Sequence, residues 1–270
     1  MMKLFSIFFL LFLGTNSSAQ TLLKIDNQGT QLDGYFFATP TIDARKAPAI
    51  VALHGCGGML RAKGTPNLRT LAYAKLLNAQ GWHVLFVDSL TARGVQSVCG
   101  SKNQVTQAQR VTDVQAAVAF LAKRKEVDDS RIGILGWSHG GTAALLSNDT
   151  SVNYVIAPRA VFAFYPGCSD ASGRKMAWQP SKPVLMQLGA ADDWTSPIPC
   201  QSLAVQWKDV VLQDTYANAH HGFDSNGAGA PIAINLTTPS GVKTVHTGGE
   251  PAAKAASQIK LIAFFKDHFK

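Results

Sequence analysis

The sequence predicts an α/β architecture, a mostly parallel sheet with helices packed on both faces. Three observations carry that reading. Short, continuous apolar runs recur along the chain, stretches with apolar residues at helical spacing separate them, and neither a repeat nor a linker divides the 270 residues. Strands that are apolar without alternation are buried on both faces, which is the condition of a parallel sheet covered by helices.

Residues 1–19 stand apart from that pattern. Lys3 precedes an apolar run from Leu4 to Leu13, and Gly14 to Ala19 follow as small or polar residues. Ser17 and Ala19 occupy the −3 and −1 positions of a cleavage site before Gln20. This is the pattern of a signal peptide, and the run is shorter than the roughly 20 residues needed to span a bilayer. The expectation is a secreted or periplasmic chain, residues 20–270, forming one domain without stable membrane insertion after cleavage.

The remaining elements follow in order. Ile50–Leu53 reads as a strand, and Leu68, Leu71, Ala72 and Leu76 as a helix. Val84–Val87 is the next strand, and Val111, Val114, Val118 and Leu121 share a helical face. Ile132–Leu135 is a strand and Ala143–Leu146 opens a helix. Ala160–Phe164, Val184–Leu188 and Val210–Thr215 read as three more strands. Ala255, Ile259, Ile262 and Phe269 form the stripe of a final helix. Residues 224–250, rich in Gly, Ala, Thr and Pro, show no clear periodicity and receive no element.

Composition removes several classes. With 46% hydrophobic and only 16% charged residues, the chain has ample material for a core and is no disordered tail protein. The formal charge is +8, but Lys and Arg are scattered, and Lys123-Arg124-Lys125 stands near a helix end where a solvated terminus explains it. A nucleic-acid partner is therefore not expected. Neither G-x-G-x-x-G nor a P-loop occurs, and no H-E-x-x-H is present, so neither a nucleotide cofactor nor a catalytic metal is expected.

Chemistry concentrates at Gly136-Trp137-Ser138-His139-Gly140-Gly141, directly after one strand and before a helix. This is G-x-S-x-G in the strand–turn–helix context that the motif requires. A sharp turn lifts the Ser138 hydroxyl above the sheet edge, and the close approach of backbone requires glycine at Gly136 and Gly140. The helix N-terminus behind the serine adds positive potential where an oxyanion forms.

A nucleophilic serine needs a base, and the base needs an acid that fixes its tautomer. On this kind of sheet the order is Ser, Asp/Glu, His. Beyond the elbow the histidines are His220, His221, His246 and His268. His221 is the expected base, with His220 its rival. Glu occurs only at Glu126 and Glu250, outside the Ser–His interval, so the acid is an Asp. Asp149 and Asp170 do not end a clear strand, and Asp209 and Asp214 bracket or sit within the strand before His221. Asp192 follows the Val184–Leu188 strand, at the carboxyl end where sites of parallel sheets lie, with Asp193 the alternative. The oxyanion hole is expected from the N–H groups of His139 and of Cys56, the latter in the Gly-rich stretch His54–Gly58. His54 itself reads as structural. Trp137, Trp194 and Phe223 are candidates for an apolar acyl pocket or for core.

These residues resemble the dienelactone hydrolase family of the α/β-hydrolase superfamily. The resemblance runs from about Ala49 to the C-terminus and rests on LHGCGG (Leu53–Gly58), DSLTARG (Asp88–Gly94), RIGILGWSHGG (Arg131–Gly141), GAADDW (Gly189–Trp194) and HHGFD (His220–Asp224). It implies an ester or lactone hydrolase of small molecules with a nucleophile–Asp–His triad, the acid falling on Asp192 and the base on His221. Dienelactone-cleaving members carry a cysteine nucleophile. Ser138 in that place points toward a more general carboxylesterase-like activity. The weighed alternatives are a thioesterase or peptidase using the same triad, and a catalytically silent binding protein on the same fold.

Export would place Cys56, Cys99, Cys168 and Cys200 where they can oxidise, with three possible connectivities. Cys56–Cys99 and Cys168–Cys200 join neighbouring loops on one edge of the expected sheet and are the favoured pairs.

Overall fold

The structure is a computed structural model and describes residues 20–40, 45–100, 104–169, 176–227, 230–238 and 241–270. The expected signal peptide and Asp170 lie outside the described residues.

Ten strands and five α-helices are described: β1 (Gln20–Asn27), β2 (Thr30–Phe37), β3 (Ala47–Leu53), α1 (Leu68–Asn78), β4 (His83–Asp88), α2 (Gln107–Ala122), β5 (Val127–Trp137), α3 (His139–Ser147), β6 (Val161–Phe164), β7 (Val184–Gly189), α4 (Ile198–Gln206), β8 (Val211–Tyr216), β9 (Ile232–Thr238), β10 (Gly241–Thr247) and α5 (Pro251–His268). Eight strands form one sheet in the order β1-β2-β4-β3-β5-β6-β7-β8. From β4 through β8 all neighbours are parallel, while β1 and β2 are antiparallel additions at one edge.

The apolar runs seen in the sequence are the central strands. Every residue of β3, β4, β6 and β7 is buried, as strands covered on both faces must be. One layer of core joins β-sheet side chains to Val114, Val118 and Leu121 of α2, Ala143 and Leu145 of α3, and Leu203 of α4. The opposite layer uses Tyr73 and Leu77 of α1 and Leu261, Phe264 and Phe265 of α5. Thr106 and Gln109 close a reciprocal cap at the start of α2, and Glu250 caps α5 by accepting from Ala252 and Ala253 N–H.

Several features depart from the sequence reading. The stripes expected for α1 and α5 are not their buried faces: Leu68 and Ile259 are exposed, while Thr70, Tyr73, Ala74 and Leu77 of α1 and Ala253, Ser257, Leu261, Phe264 and Phe265 of α5 face the core. The β1–β2 hairpin carries no apolar run in β1, whose residues are largely exposed, so periodicity could not flag it. Its turn places Gln28 and Gly29 at φ 51° and 89°. Helix α4 has too few buried positions to make a stripe, burying only Cys200 and Leu203. Residues 224–250 contain a separate two-stranded ribbon, β9–β10, whose side chains are mostly exposed and therefore show no core pattern.

Both expected disulfides, Cys56–Cys99 and Cys168–Cys200, are present. Among the described residues, no helix is long and apolar enough to cross a membrane.

Candidate active site

The carboxyl ends of β3, β5, β7 and β8 bring the sequence candidates together. Ser138 links β5 to α3 with φ 53° and ψ −120°, a strained conformation for a residue with a side chain. The surrounding structure holds it there: Ser138 N–H donates to Phe164 O at 2.9 Å, and Ser138 O accepts from Thr142 N–H at 2.9 Å. A Cβ on Gly136 would stand 2.2 Å from Gly140 O, and one on Gly140 would stand 2.2 Å from Leu53 O. Both glycines are therefore steric requirements of the elbow, as the motif implied.

His221 Nε2 lies 2.8 Å from Ser138 Oγ, and His221 Nδ1 lies 2.8 Å from Asp192 Oδ2. A carboxylate only accepts, so Nδ1 carries the proton and Nε2 is left to accept from the serine hydroxyl. Asp192 is itself fixed. Its Oδ1 accepts from Trp194 N–H at 2.9 Å and Thr195 N–H at 2.8 Å, and Oδ2 accepts from the Thr195 hydroxyl at 3.0 Å. The imidazole sits between two aromatic rings, Tyr165 at 4.6 Å and Trp194 at 4.7 Å between centroids. Ser138, Asp192 and His221 are all buried.

The rivals are placed elsewhere. Asp193 turns its carboxylate to His246, accepting from its backbone N–H at 2.7 Å and approaching Nδ1 at 2.6 Å. Burial is the largest single effect on Asp193 and works against its charge, but the hydrogen bonds and charge of His246 together outweigh it and lower its pKa. The His220 ring lies 5.9 Å from that of His246, and its buried Nδ1 has no partner among the described residues. Of the three candidate pocket aromatics, Trp137 and Phe223 are buried core residues. Trp137 stacks between Phe86 and Phe164, and only Trp194 faces the candidate base.

The expected oxyanion loop stands against the serine. A Cβ on Gly55 would lie 3.6 Å from Ser138 Cβ, which puts the adjoining Cys56 peptide beside the elbow. Cys56 O accepts from Val98 N–H at 2.9 Å, so the loop is tied to the Cys99 segment by backbone as well as by disulfide. His139 opens α3, and the first N–H groups of a helix have no intrahelical acceptor.

Two histidines brace these donors. His54 Nε2 accepts from Ser89 N–H at 3.2 Å, so its proton is on Nδ1, which donates to Gly55 O at 2.7 Å. Burial, reinforced by the Arg110 charge, pushes His54 down to about 3. Arg110, fully buried, donates from Nη1 to His139 Nδ1 at 2.9 Å, and Gln107 Nε2 donates to His139 O at 3.2 Å. Burial and then the Arg110 charge push His139 down to about 4.

Behind the elbow lies Asp224, the last residue of the HHGFD segment. It accepts from Trp137 Nε1 at 2.9 Å and from the Tyr165 hydroxyl at 2.5 Å, and Arg69 Nη2 stands 3.4 Å away. Sequence reasoning left Asp224, Tyr165, Thr195, Arg69 and Arg110 without roles. Asp224 was within reach, since an acid three residues after the expected base is a signal. Arg110 lies on the buried side of α2, and nothing in its sequence neighbourhood marks it.

A model of the dienelactone hydrolase family matches residues 32–269. The chain belongs to the dienelactone hydrolase family. It is accordingly a hydrolase of the α/β-hydrolase superfamily. A putative dienelactone hydrolase from Klebsiella pneumoniae subsp. pneumoniae has a similar structure, at 14% identity and TM-score 0.70, with 93% of this chain and 99% of that chain covered. A dienelactone hydrolase-like promiscuous phosphotriesterase from metagenomic libraries matches at 20% identity and TM-score 0.68, over 94% and 100% of the two chains. The acylaminoacyl peptidase of Pyrococcus horikoshii matches at 16% and TM-score 0.68, over 95% of this chain and 43% of that one. At these identities the likeness is one of fold. Among curated proteins, the non-reducing polyketide synthase stbA of Stachybotrys bisbyi is 26% identical over 176 residues, which is 65% of this chain. The chain spans only 7% of that relative's length.

Proposed function

We propose that this chain is a serine hydrolase that cleaves carboxylic esters or lactones of small molecules through an acyl-enzyme, with Ser138 as nucleophile, His221 as base and Asp192 as acid. The observation that carries the reading is the unbroken chain from Ser138 Oγ through both nitrogens of His221 to Asp192, at 2.8 Å per link, beginning at a residue held in a strained turn.

The steps follow from that arrangement. His221 Nε2 takes the hydroxyl proton as Ser138 Oγ attacks the carbonyl carbon. The imidazolium that results keeps its proton on Nδ1, donated in a hydrogen bond to the Asp192 carboxylate, which is already oriented by Trp194 and Thr195. Negative charge on the carbonyl oxygen is met by the N–H groups of Cys56 and His139, at the N-terminal end of α3. His221 then gives its proton to the departing alkoxide, and the ester bond breaks. Water, deprotonated by the same imidazole, attacks the acyl-enzyme, and collapse of the second tetrahedral species returns Ser138.

Residues 1–19 are read as a signal peptide, and the two disulfides support a chain that matures in an oxidising compartment. N-terminal sequencing of protein recovered from the periplasm or medium should begin at Gln20.

The test of the chemistry is labelling with a fluorophosphonate, followed by mass mapping. An adduct on Ser138, absent from Ser138→Ala, is expected. A folded chain that forms no adduct would sink the enzymatic reading. A panel of esters, lactones, thioesters, amides and a phosphotriester then ranks the acyl classes, and preference for anything but esters or lactones overturns the substrate assignment.

A further inference from the structure

A cleft of about 370 Å³ opens between the first turns of α1 and α5, beside residues 224–226. Its volume falls in the range of small-molecule sites. Ser138, Asp192, His221, Cys56 and His139 are not among its lining residues, although Arg69 and Asn67 also line a smaller cavity that reaches His54 and Gly55.

Its charge is one-sided. Arg61, Arg69 and Lys254 line it, against one carboxylate, Asp224. That carboxylate is fully buried and already accepts from Trp137 and Tyr165. Lys254 donates to the neutral amide oxygen of Asn226, which leaves its charge uncompensated. Glu250, the cap of α5, spends its carboxylate on Ala252 and Ala253 N–H and does not line the cleft.

Arg69 is the unusual member. A guanidinium carries five N–H donors. Among the described residues its one polar contact is Nη2 to Asp224 Oδ1 at 3.4 Å, and its Nε is buried without a partner. Burial is the largest single effect and works against the charge, but Asp224, Tyr165 and Tyr73 together outweigh it, so the side chain remains a cation. The Arg69 side chain as a whole is 35% exposed, so its terminal N–H donors, rather than the buried Nε, are the ones that open on the cleft, where an oxyanion would satisfy them. Helix α1 adds to this. Asn67, its cap, and Leu68, its first residue, also line the cleft, and the first N–H groups of a helix have no intrahelical acceptor. An anion there also meets the positive end of the helix dipole.

We propose that this cleft binds a small oxyanion ligand, a phosphate or carboxylate group, with Arg69 as its anchor and Arg61 and Lys254 at its rim. A planar guanidinium matches either group in a two-point contact, while an ammonium contributes a point charge. This site does not depend on the ester-hydrolase reading.

The test uses the full chain, with thermal unfolding and calorimetric titration against inorganic phosphate and against succinate, at constant ionic strength set with chloride. A ligand that binds only the folded state raises the melting temperature as its concentration grows. The expected result is such a rise with at least one of the two anions, unchanged in Ser138→Ala. The anion that works identifies the group. The double variant Arg61→Gln, Lys254→Gln should weaken binding by about tenfold or more, and Arg69→Gln should abolish it. Arg69→Gln also removes the cation beside Asp224, so the rim variant, which touches no buried pair, carries the test if the former fails to fold. No response to either anion at millimolar concentration, or an affinity unchanged in the rim variant, overturns the proposal. Loss of binding in Ser138→Ala would overturn it too, since the anion would then sit at the active site.

Discussion

The Tyr165 hydroxyl donates a hydrogen bond to Asp224 Oδ1 at 2.5 Å, and the same ring lies 4.6 Å from that of His221. Tyr165 has φ 35°, at the end of β6, so its backbone is held where few residues go. Burial pushes its hydroxyl well above the usual tyrosine range, partly offset by Arg69 and reinforced by Asp224. It therefore stays a proton donor throughout the working range. Asp224 accepts from Trp137 as well, so one buried carboxylate ties the residue before Ser138 to the ring beside His221. Tyr165→Phe should cost about 1–3 kcal/mol in urea unfolding, the penalty for a buried acceptor that loses its donor. Its kcat should fall far less than that of Ser138→Ala. An unchanged unfolding midpoint would show that the bond does not support the fold.

The proposed triad predicts a sharp contrast between neighbours. Ser138→Ala and His221→Ala should each lower kcat/KM by several orders of magnitude. Asp192→Asn should lower it by about 10⁴-fold, because an amide can favour the wrong imidazole tautomer. His220→Ala and Asp193→Asn should be mild, since neither side chain touches the Ser138–His221 chain. Steady-state kinetics on one chromogenic ester decides this. Severe loss in His220→Ala with mild loss in His221→Ala would reverse the assignment.

Neutral buried histidines give stability a pH slope. His54 is held down to about 3 and His139 to about 4, each below the ordinary value of 6.5. Below pH 6.5 the unfolded chain takes up these protons while the folded chain does not. Stability is therefore complete above about pH 6.5 and falls as pH drops toward 4, by up to about 1.4 kcal/mol per pH unit for each histidine. Urea unfolding at several pH values measures the slope. His54→Gln should be less stable at pH 7 because the braces on Gly55 and Ser89 change, yet its slope between pH 6 and 4 should be shallower. An equal slope in both proteins would mean that His54 is not the group taking up the proton.

How far the sequence could be read depended on burial. The strands at Ile50–Leu53 and Ile132–Leu135 were legible because their apolar runs are core, and observation extends them only to Ala47–Leu53 and Val127–Trp137. The elbow was legible because Gly136 and Gly140 are steric necessities. Asp192 could be chosen because glutamate is absent between Ser138 and His221. By contrast β9–β10 buries little beyond Leu236 and Val245, so no period marks it. Arg110 and Asp224 act through contacts between residues 29 and 87 positions apart, which no local pattern encodes.

The two disulfides close loops of similar length, with separations of 43 and 32 residues, and each should stabilise the chain by about 2–4 kcal/mol. Their effects on turnover should differ. Cys56 carries a proposed oxyanion donor, whereas Cys168–Cys200 joins the segments after β6 and β7 without touching the triad. Paired Cys→Ser variants should both lose stability, but the Cys56/Cys99 pair should lose more kcat when compared well below both unfolding transitions. Equal kcat in the two variants would separate the Cys56 loop from oxyanion stabilisation.

The β9–β10 ribbon reaches both loops of the proposed triad. Thr247 Oγ1 donates to His221 O at 2.7 Å, and Gly248 N–H donates to the same oxygen at 3.1 Å. At its other attachment, His246 holds Asp193, and Lys243 donates to Asp193 O at 2.7 Å. The ribbon thus clasps the residue that bears the base and the residue after the acid. Thr247→Val keeps the shape of the side chain and removes one hydrogen bond, so stability should fall by only about 0.5–1.5 kcal/mol. If the bond also sets the position of the imidazole, kcat should fall several-fold with KM little changed, because small misplacement of a reacting group is costly. Thr247→Ser, which keeps the hydroxyl, should restore most of kcat. Restoration by valine as well as by serine would leave the ribbon a structural strap with no hold on the base.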